Sequence, residues 1–168
     1  MNNKQKQEGN KEMEEMARLI GPQLRTITTP KSNFAMIIHG IRGSGKRKFA
    51  HALARFLGVH FLHVSCFDLI GSSDQQTADA LSHLLDQSQF IAPCVLLLRH
   101  LAALEKNLGA TAKATASAVV CNALKAAIAR AKRVVVIGVE MKVDALSPQL
   151  RSCFLQEISL KFALHFMK

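Results

Sequence analysis

One short segment carries the clearest chemical signal in this chain. Its residues are Gly40, Ile41, Arg42, Gly43, Ser44, Gly45 and Lys46. Glycines at this spacing, ahead of a lysine and between an apolar strand and an amphipathic helix, are typical of a phosphate-binding loop. The glycines let successive backbone N–H groups converge on a phosphate, while Lys46 reaches between the β- and γ-phosphates. The segment therefore predicts a nucleotide site and leaves the base of the nucleotide open.

The residue after Lys46 departs from this pattern. A serine or threonine hydroxyl is expected there as a Mg²⁺ ligand, but the chain has Arg47, whose side chain has donors and no acceptor. Arg47 therefore belongs to the predicted nucleotide site without being a metal ligand. Two substitutes are open: Ser44 or a water could hold the cation, or Arg47 or Lys48 could neutralise phosphate charge in its place. Nucleotide binding is favoured over turnover, and a Mg²⁺ requirement is left undecided.

A second departure follows the third apolar run. Hydrolytic phosphate-loop enzymes place an aspartate, often with a glutamate, at the end of such a strand to hold the Mg²⁺ shell and orient water. This chain has Arg99 and His100 there. A lone histidine such as His100 is more often structural than a base, and Glu105 is a weak substitute further along. No catalytic residue and no metal ligand is predicted, and hydrolysis is expected to be weak or lost.

These residues need a scaffold that brings strand ends to one edge. Short apolar runs predict buried strands over 34–39, 59–64, 94–98 and 134–138. Alternating apolar residues predict a further strand at a sheet edge, over 157–162. Helical spacing predicts helices over 46–57, from Ser73 through Ser88 and over 115–132. Strands alternating with helices predict a doubly wound, mostly parallel α/β sheet, whose ligand crevice lies beyond the carboxyl ends of its strands.

The first 31 residues are predicted to precede this domain, which then covers 32–168. Residues 1–16 are polar and carry few large apolar groups to bury, so we expect a partly disordered lead. Met16, Leu19 and Ile20 are interpreted as the start of a short helix, which Gly21-Pro22 would end.

The overall composition is that of one globular domain, with 49% hydrophobic and 20% charged residues in 168. No apolar run is long enough to span a membrane and the N-terminus has no signal-peptide core, so we expect an intracellular chain. The cysteines Cys66, Cys94, Cys121 and Cys153 are far apart, with no C-x-x-C pair, and are interpreted as reduced, mostly buried thiols. His60 and His63, three apart on a strand, point to opposite faces and do not form a metal pair.

The net charge of +10 belongs to the folded part, because residues 1–18 hold four basic and four acidic side chains, which cancel. Residues 41–67 and 106–139 contain basic side chains and no acid. Such fields attract polyanions, so the alternative is a basic nucleic-acid-binding subunit with a relic phosphate loop. The absence of Trp and Tyr disfavours base stacking but leaves a grip on the backbone open. A phosphate-loop kinase is disfavoured by Arg47 and Arg99.

The chain resembles AAA+ ATPases through the sequence HGIRGSGKR before an amphipathic helix and LLLRH after an apolar strand. The resemblance covers about residues 32–162. The GKR and LLLRH departures and the stretch SCFDL are most similar to the degenerate first ATPase domain of the plant-type peroxisomal biogenesis factor six family. This resemblance implies a P-loop NTPase sheet of order 5-1-4-3-2, a ring of paralogous protomers, and a role in peroxisome biogenesis and matrix protein import. It also implies a cytoplasmic chain, peripheral at the peroxisomal membrane.

The same resemblance implies further departures from an active family member. The sensor position aligns with Met141, and the arginine-finger region is reduced to a neighbourhood that holds Arg151. The aromatic substrate-gripping loop is shortened to Ile70-Gly-Ser-Ser73, and the chain stops before the helical lid. The resemblance thus implies a hydrolysis-poor structural module in a hetero-oligomer, with ATP as the nucleotide that it binds.

Overall fold

A sheet of five parallel strands forms the centre of the computed structural model, which describes residues 3–25, 34–105 and 118–160. The strands are β1 (Ala35–His39), β2 (His60–Ser65), β3 (Cys94–Arg99), β4 (Val134–Glu140) and β5 (Gln156–Ser159). Their order is β2-β3-β4-β1-β5, and every neighbouring pair is parallel. The predicted doubly wound sheet, its 5-1-4-3-2 order and the edge position of the last strand are confirmed.

Helices cover both faces of this sheet. They are α1 (Asn3–Arg25), α2 (Lys46–Leu57), α3 (Asp74–Phe90), α4 (Ala118–Arg130) and the short α5 (Pro148–Arg151). Val95 and Leu97 of β3 pack in one apolar cluster with α1 and α2, whereas Leu96 and Leu98 pack in a second cluster with α3 and α4. This alternation follows from the period of two along a strand. The side of the sheet that carries Val95 and Leu97 is called the α2 face below.

Helix α1 is longer than the sequence predicted. Where a partly disordered lead was expected, residues 3–25 form one helix, and the predicted stop at Gly21-Pro22 is wrong because Pro22 lies inside it. Ile20 and Leu24, one turn apart across the proline, are 0% and 3% exposed. Burying two such side chains stabilises the helix by about 3–6 kcal/mol, which offsets the ~3 kcal/mol that an internal proline costs.

The remaining elements lie close to their predicted positions. β5 begins one residue earlier than predicted, and its Ile158, with Leu160 beyond it, packs in the cluster on the α2 face. Residues 115–117 of the predicted fourth helix and residues 161–162 of the predicted last strand lie outside the described ranges. Among the residues that the structure describes, no helix is both long and apolar enough to cross a bilayer.

The cysteines are free and buried, as predicted. Burial is the main cause that raises the pKa of the Cys66 thiol to about 12 and that of the Cys94 thiol to about 11. Both thiols therefore keep their protons at neutral pH and act as small apolar side chains.

Candidate nucleotide-binding site

The phosphate-binding loop connects β1 to α2, and it holds every residue that the sequence predicted as a nucleotide contact except Arg47 and Lys46, which open α2. Gly43 and Gly45 have φ angles of 84° and 85°, a left-handed conformation that strains residues with a Cβ. At Gly40 a Cβ would collide with the carbonyl oxygen of Leu160 and lie 3.2 Å from Ser44 Oγ. The glycines are thus required by the turn itself.

Backbone hydrogen bonds fix the start of this loop against the sheet. The Gly40 N–H donates to the Met141 carbonyl at 3.2 Å, and the Leu160 N–H donates to the His39 carbonyl at 2.8 Å. The loop therefore lies at the carboxyl ends of β1 and β4, which is the edge where ligands bind in open α/β sheets. Met141, at the predicted sensor position, does reach the loop, but it does so through its backbone oxygen.

The first turn of α2 concentrates positive charge. The N-cap residue is Gly45, which has no side chain to accept a hydrogen bond from the N–H groups of the first turn. Lys46, Arg47 and Lys48 follow directly, with no acid in that turn. Cations at a helix N-terminus oppose the helix dipole. Three cations in this first turn are therefore locally unfavourable, and a bound anion would offset both their charge and the helix dipole.

Lys46 is folded over the loop. Its Nζ atom donates to the carbonyl oxygens of Gly40 and Ile41 at 2.6 and 2.8 Å, and to Ser44 Oγ at 3.2 Å. Partial burial lowers the pKa of the Lys46 ammonium, and the Glu140 carboxylate opposes this shift. The ammonium is therefore held against the carbonyl oxygens at the start of the loop.

Arg99 ends β3 on the same side of the sheet as this loop. It has the strand parity of Val95 and Leu97, which places its Cβ on the α2 face. His63 of β2 also lies on that face; burial lowers the pKa of its imidazole, and the charges of Arg47 and Arg99 lower it further. The structure therefore brings Arg99 and Arg47, which the sequence singled out separately, into one electropositive region.

His100, the other residue of the predicted pair, has different surroundings. It adopts a left-handed φ of 61°, its N–H donates to the Val139 carbonyl at 3.2 Å, and its ring lies 5.3 Å from the ring of Phe67. Glu105, named as a weak substitute base, is 4% exposed, and its Oε1 accepts from the Ser147 N–H at 2.7 Å. Both side chains thus have structural contacts, which supports the interpretation of His100 as structural.

Glu140 is a residue of this site that the sequence analysis missed. It ends β4, and its Oε1 and Oε2 accept from the N–H groups of Met141 and Ala102 at 2.9 and 3.0 Å. The carboxylate therefore anchors the turn that follows β3 while acting electrostatically on Lys46. An acidic residue at the end of a buried strand was the available signal, but its bond to Ala102 depends on the β3–β4 pairing.

Arg151, in the predicted finger neighbourhood, is held by its own chain. Its Nε and Nη2 donate to the two carboxylate oxygens of Glu157, both at 2.8 Å. This bidentate pair ties α5 to β5 and lowers the pKa of the Glu157 carboxyl. Arg151 therefore serves a local contact in this chain.

The described residues offer few oxygen ligands to a divalent metal ion at this loop. Arg47 stands at the expected ligand position, and Ser44, the candidate substitute, is 1% exposed with its Oγ accepting from the Lys46 ammonium. Within the described ranges, no group of three or more His, Cys, Asp or Glu side chains could hold a metal. Both oxygens of Glu140 already accept backbone hydrogen bonds.

The loop and the strand ends described above lie within a segment that matches a known protein family. Residues 36–162 match the family described as ATPase family associated with various cellular activities (AAA). The chain belongs to the AAA family. This match includes the loop, Arg99 and Arg151, so the P-loop NTPase fold inferred from the sheet order is confirmed.

Within this family, the chain is similar to several individual proteins. Peroxisomal ATPase PEX6 from Arabidopsis thaliana is 37% identical over 95 residues, 56% of this chain and 10% of that protein. PEX6 from Yarrowia lipolytica is 31% identical over 90 residues, 53% of this chain and 9% of that protein. Nuclear valosin-containing protein-like from Mus musculus is 28% identical over 121 residues, which are 69% of this chain and 14% of that protein. The predicted resemblance to the peroxisomal branch is confirmed, and the chain spans about a tenth of the PEX6 proteins that it matches.

Proposed function

We propose that this chain is an AAA domain that binds ATP without hydrolysing it, and that it serves as a structural module of a peroxisomal AAA assembly. The observation that carries the proposal is the phosphate loop followed by three cations at the start of α2, opposite a strand end that has Arg99 in place of a carboxylate. Nucleotide binding is the general property of the AAA family to which the chain belongs.

The contacts available to the nucleotide come from backbone and side chain together. The uncapped first-turn N–H groups of α2 donate to the β-phosphate, and the Lys46 ammonium moves from loop carbonyls to phosphate oxygens. A hydrogen bond to a charged group contributes about 1.5–3 kcal/mol, so loss of Lys46 weakens binding by about tenfold to a hundredfold.

Hydrolysis needs a group that orients or deprotonates water near the γ-phosphate. Two acidic residues of the described ranges have other contacts: Glu105 accepts from the Ser147 N–H, and both Glu140 oxygens accept backbone hydrogen bonds. The ring of His100 lies against the ring of Phe67. These contacts of Glu105 and Glu140 support a site that holds phosphate without activating water.

The peroxisomal part of the proposal is supported by the likeness to PEX6 from two organisms. In this proposal the chain acts in the cytoplasm, peripheral at the peroxisomal membrane, within a ring of AAA paralogues that takes part in matrix protein import. Cell fractionation of a tagged chain checks it: co-sedimentation with peroxisomes, reversed by an alkaline wash, is expected, and a purely nuclear location would contradict the assignment.

The binding part is tested by titrating the purified chain with a fluorescent ATP analogue. Saturable binding is expected for the native chain, with at least a tenfold loss in Lys46→Ala. The matched control is Arg55→Ala, which removes an exposed basic residue from the last turn of the same helix and should leave affinity unchanged.

Two results of this titration would contradict the proposal. Equal affinity in Lys46→Ala would mean that the loop does not hold the nucleotide. Binding of single-stranded nucleic acid in its place, with a steep loss as salt rises, would favour the alternative of a basic nucleic-acid-binding subunit.

A further inference from the structure

Arg99 has a donor that the fold leaves without a partner. Its Nε atom is buried and makes no hydrogen bond within the described ranges. Buried polar atoms are nearly always paired in folded proteins, so an orphaned donor calls for an explanation. The planar guanidinium fork matches the oxygens of a phosphate group. A phosphate that meets this side chain would supply the missing acceptor.

The position of Arg99 is that of a metal-binding carboxylate in hydrolytic phosphate-loop enzymes. Its Cα pairs with Val139 on β4, and β4 pairs in turn with β1, whose end opens the loop. Its strand parity directs it to the α2 face, where Arg47 lies in the first turn of α2. Both side chains act electrostatically on His63, so the two guanidinium groups lie in one region of this face, near the carboxyl ends of the strands.

Neither guanidinium is neutralised by the described part of the chain. The ion pairs found there engage Arg130 and Arg151, not Arg47 or Arg99. A divalent cation brought to this edge would be repelled by both groups, whereas a triphosphate would be attracted by both. The electrostatics favour the anion alone over its magnesium complex.

We infer that this site binds a nucleoside triphosphate in its metal-free form, with the Arg99 guanidinium donating to the phosphate oxygens that Mg²⁺ holds in a hydrolytic relative. This inference rests on the proposed function, since it concerns the same site. It adds that Arg99 is a ligand-binding residue and that Arg47 contributes positive charge beside it. Metal-free binding also fits the presence of Arg47 and Arg99 at the two positions where a hydroxyl and a carboxylate ligand are expected.

The full chain is titrated with the fluorescent ATP analogue in EDTA and again in excess Mg²⁺. We expect saturable binding in both buffers, with affinity in EDTA equal to or higher than in Mg²⁺. Arg99→Met removes the guanidinium at similar length and should weaken binding in EDTA by about tenfold to a hundredfold. Arg99→Lys keeps the charge without the fork and should recover part of that loss.

A melting curve separates binding from folding in these variants. Because Arg99→Met removes a buried donor that has no partner, its melting temperature should equal or exceed that of the native chain. A double change, Arg47→Ser with Arg99→Asp, restores oxygen ligands at both positions. This variant should bind poorly in EDTA and regain affinity when Mg²⁺ is added.

Three results would overturn the inference. Native binding that requires Mg²⁺ would do so while leaving the proposed function intact. Unchanged affinity in a folded Arg99→Met variant would show that Arg99 is not a ligand-binding residue. If the native chain shows no saturable binding in EDTA and none in Mg²⁺, the proposed function and this inference are both overturned.

Discussion

Reversing one charge at the start of α2 should raise stability and lower nucleotide affinity at the same time. Lys48 is exposed and is the third residue of α2, after the N-cap Gly45. Lys48→Glu removes a cation that opposes the helix dipole and adds an anion that favours it, each worth about 0.3–1 kcal/mol. The free energy of unfolding should therefore rise by about 0.6–2 kcal/mol.

The same substitution repels the phosphates that the loop attracts. At low salt we expect ATP affinity to fall by about threefold to tenfold, and the loss should shrink as salt screens the interaction. For a chain of this size, the gain in stability corresponds to a rise in melting temperature of about 1–8 °C. Differential scanning fluorimetry without nucleotide and the fluorescent titration give the two quantities on one preparation.

Arg55→Glu is the matched control at the other end of the helix. Arg55 lies in the last turn of α2, where a cation is favourable, so its reversal should lower the melting temperature and leave ATP affinity nearly unchanged. A lower melting temperature in Lys48→Glu, or tighter ATP binding, would refute the argument that this helix end is built for an anion.

Two further predictions concern the core. Ile20→Ala should lower the free energy of unfolding by about 2–5 kcal/mol in urea denaturation, because Ile20 is 0% exposed and packs on the α2 face. The control is Leu19→Ala, at a neighbour that is 44% exposed, which should change the free energy of unfolding by less than about 1 kcal/mol. Equal effects of the two substitutions would mean that α1 does not pack on this face. The raised pKa of the Cys66 thiol, about 12 against 9.0, means that the unfolded chain loses a proton that the folded chain keeps, so stability should fall as pH rises from about 9 towards 12. Urea denaturation across that range should show a shallower fall in Cys66→Ala, and an identical slope would contradict the assignment.

Most of the fold could be predicted because buried parallel strands have a local signature. Each inner strand is a continuous apolar run, since both of its faces are covered, and the loop between β1 and α2 needs its glycines for steric reasons. The phosphate loop could be predicted because its motif is likewise local: its residues are contiguous in the sequence.

What escaped prediction depends on contacts between distant segments. In α1, the Gly21-Pro22 pair favoured a stop, but Ile20 and Leu24 gain more by packing on the α2 face than the proline costs. Glu140 has its role only because β4 lies beside β3, which brings it to the Ala102 N–H. The orphaned Nε of Arg99 is likewise visible only once β3 is packed.

The most direct test of the central claim is the identity of the nucleotide that stays bound. The chain is loaded with radiolabelled ATP, freed of unbound nucleotide, incubated for hours, denatured and analysed by chromatography. The account predicts that the recovered label is intact ATP in the native chain and that Lys46→Ala retains almost none. Recovery of ADP with released phosphate, at a rate above a protein-free control, would contradict it.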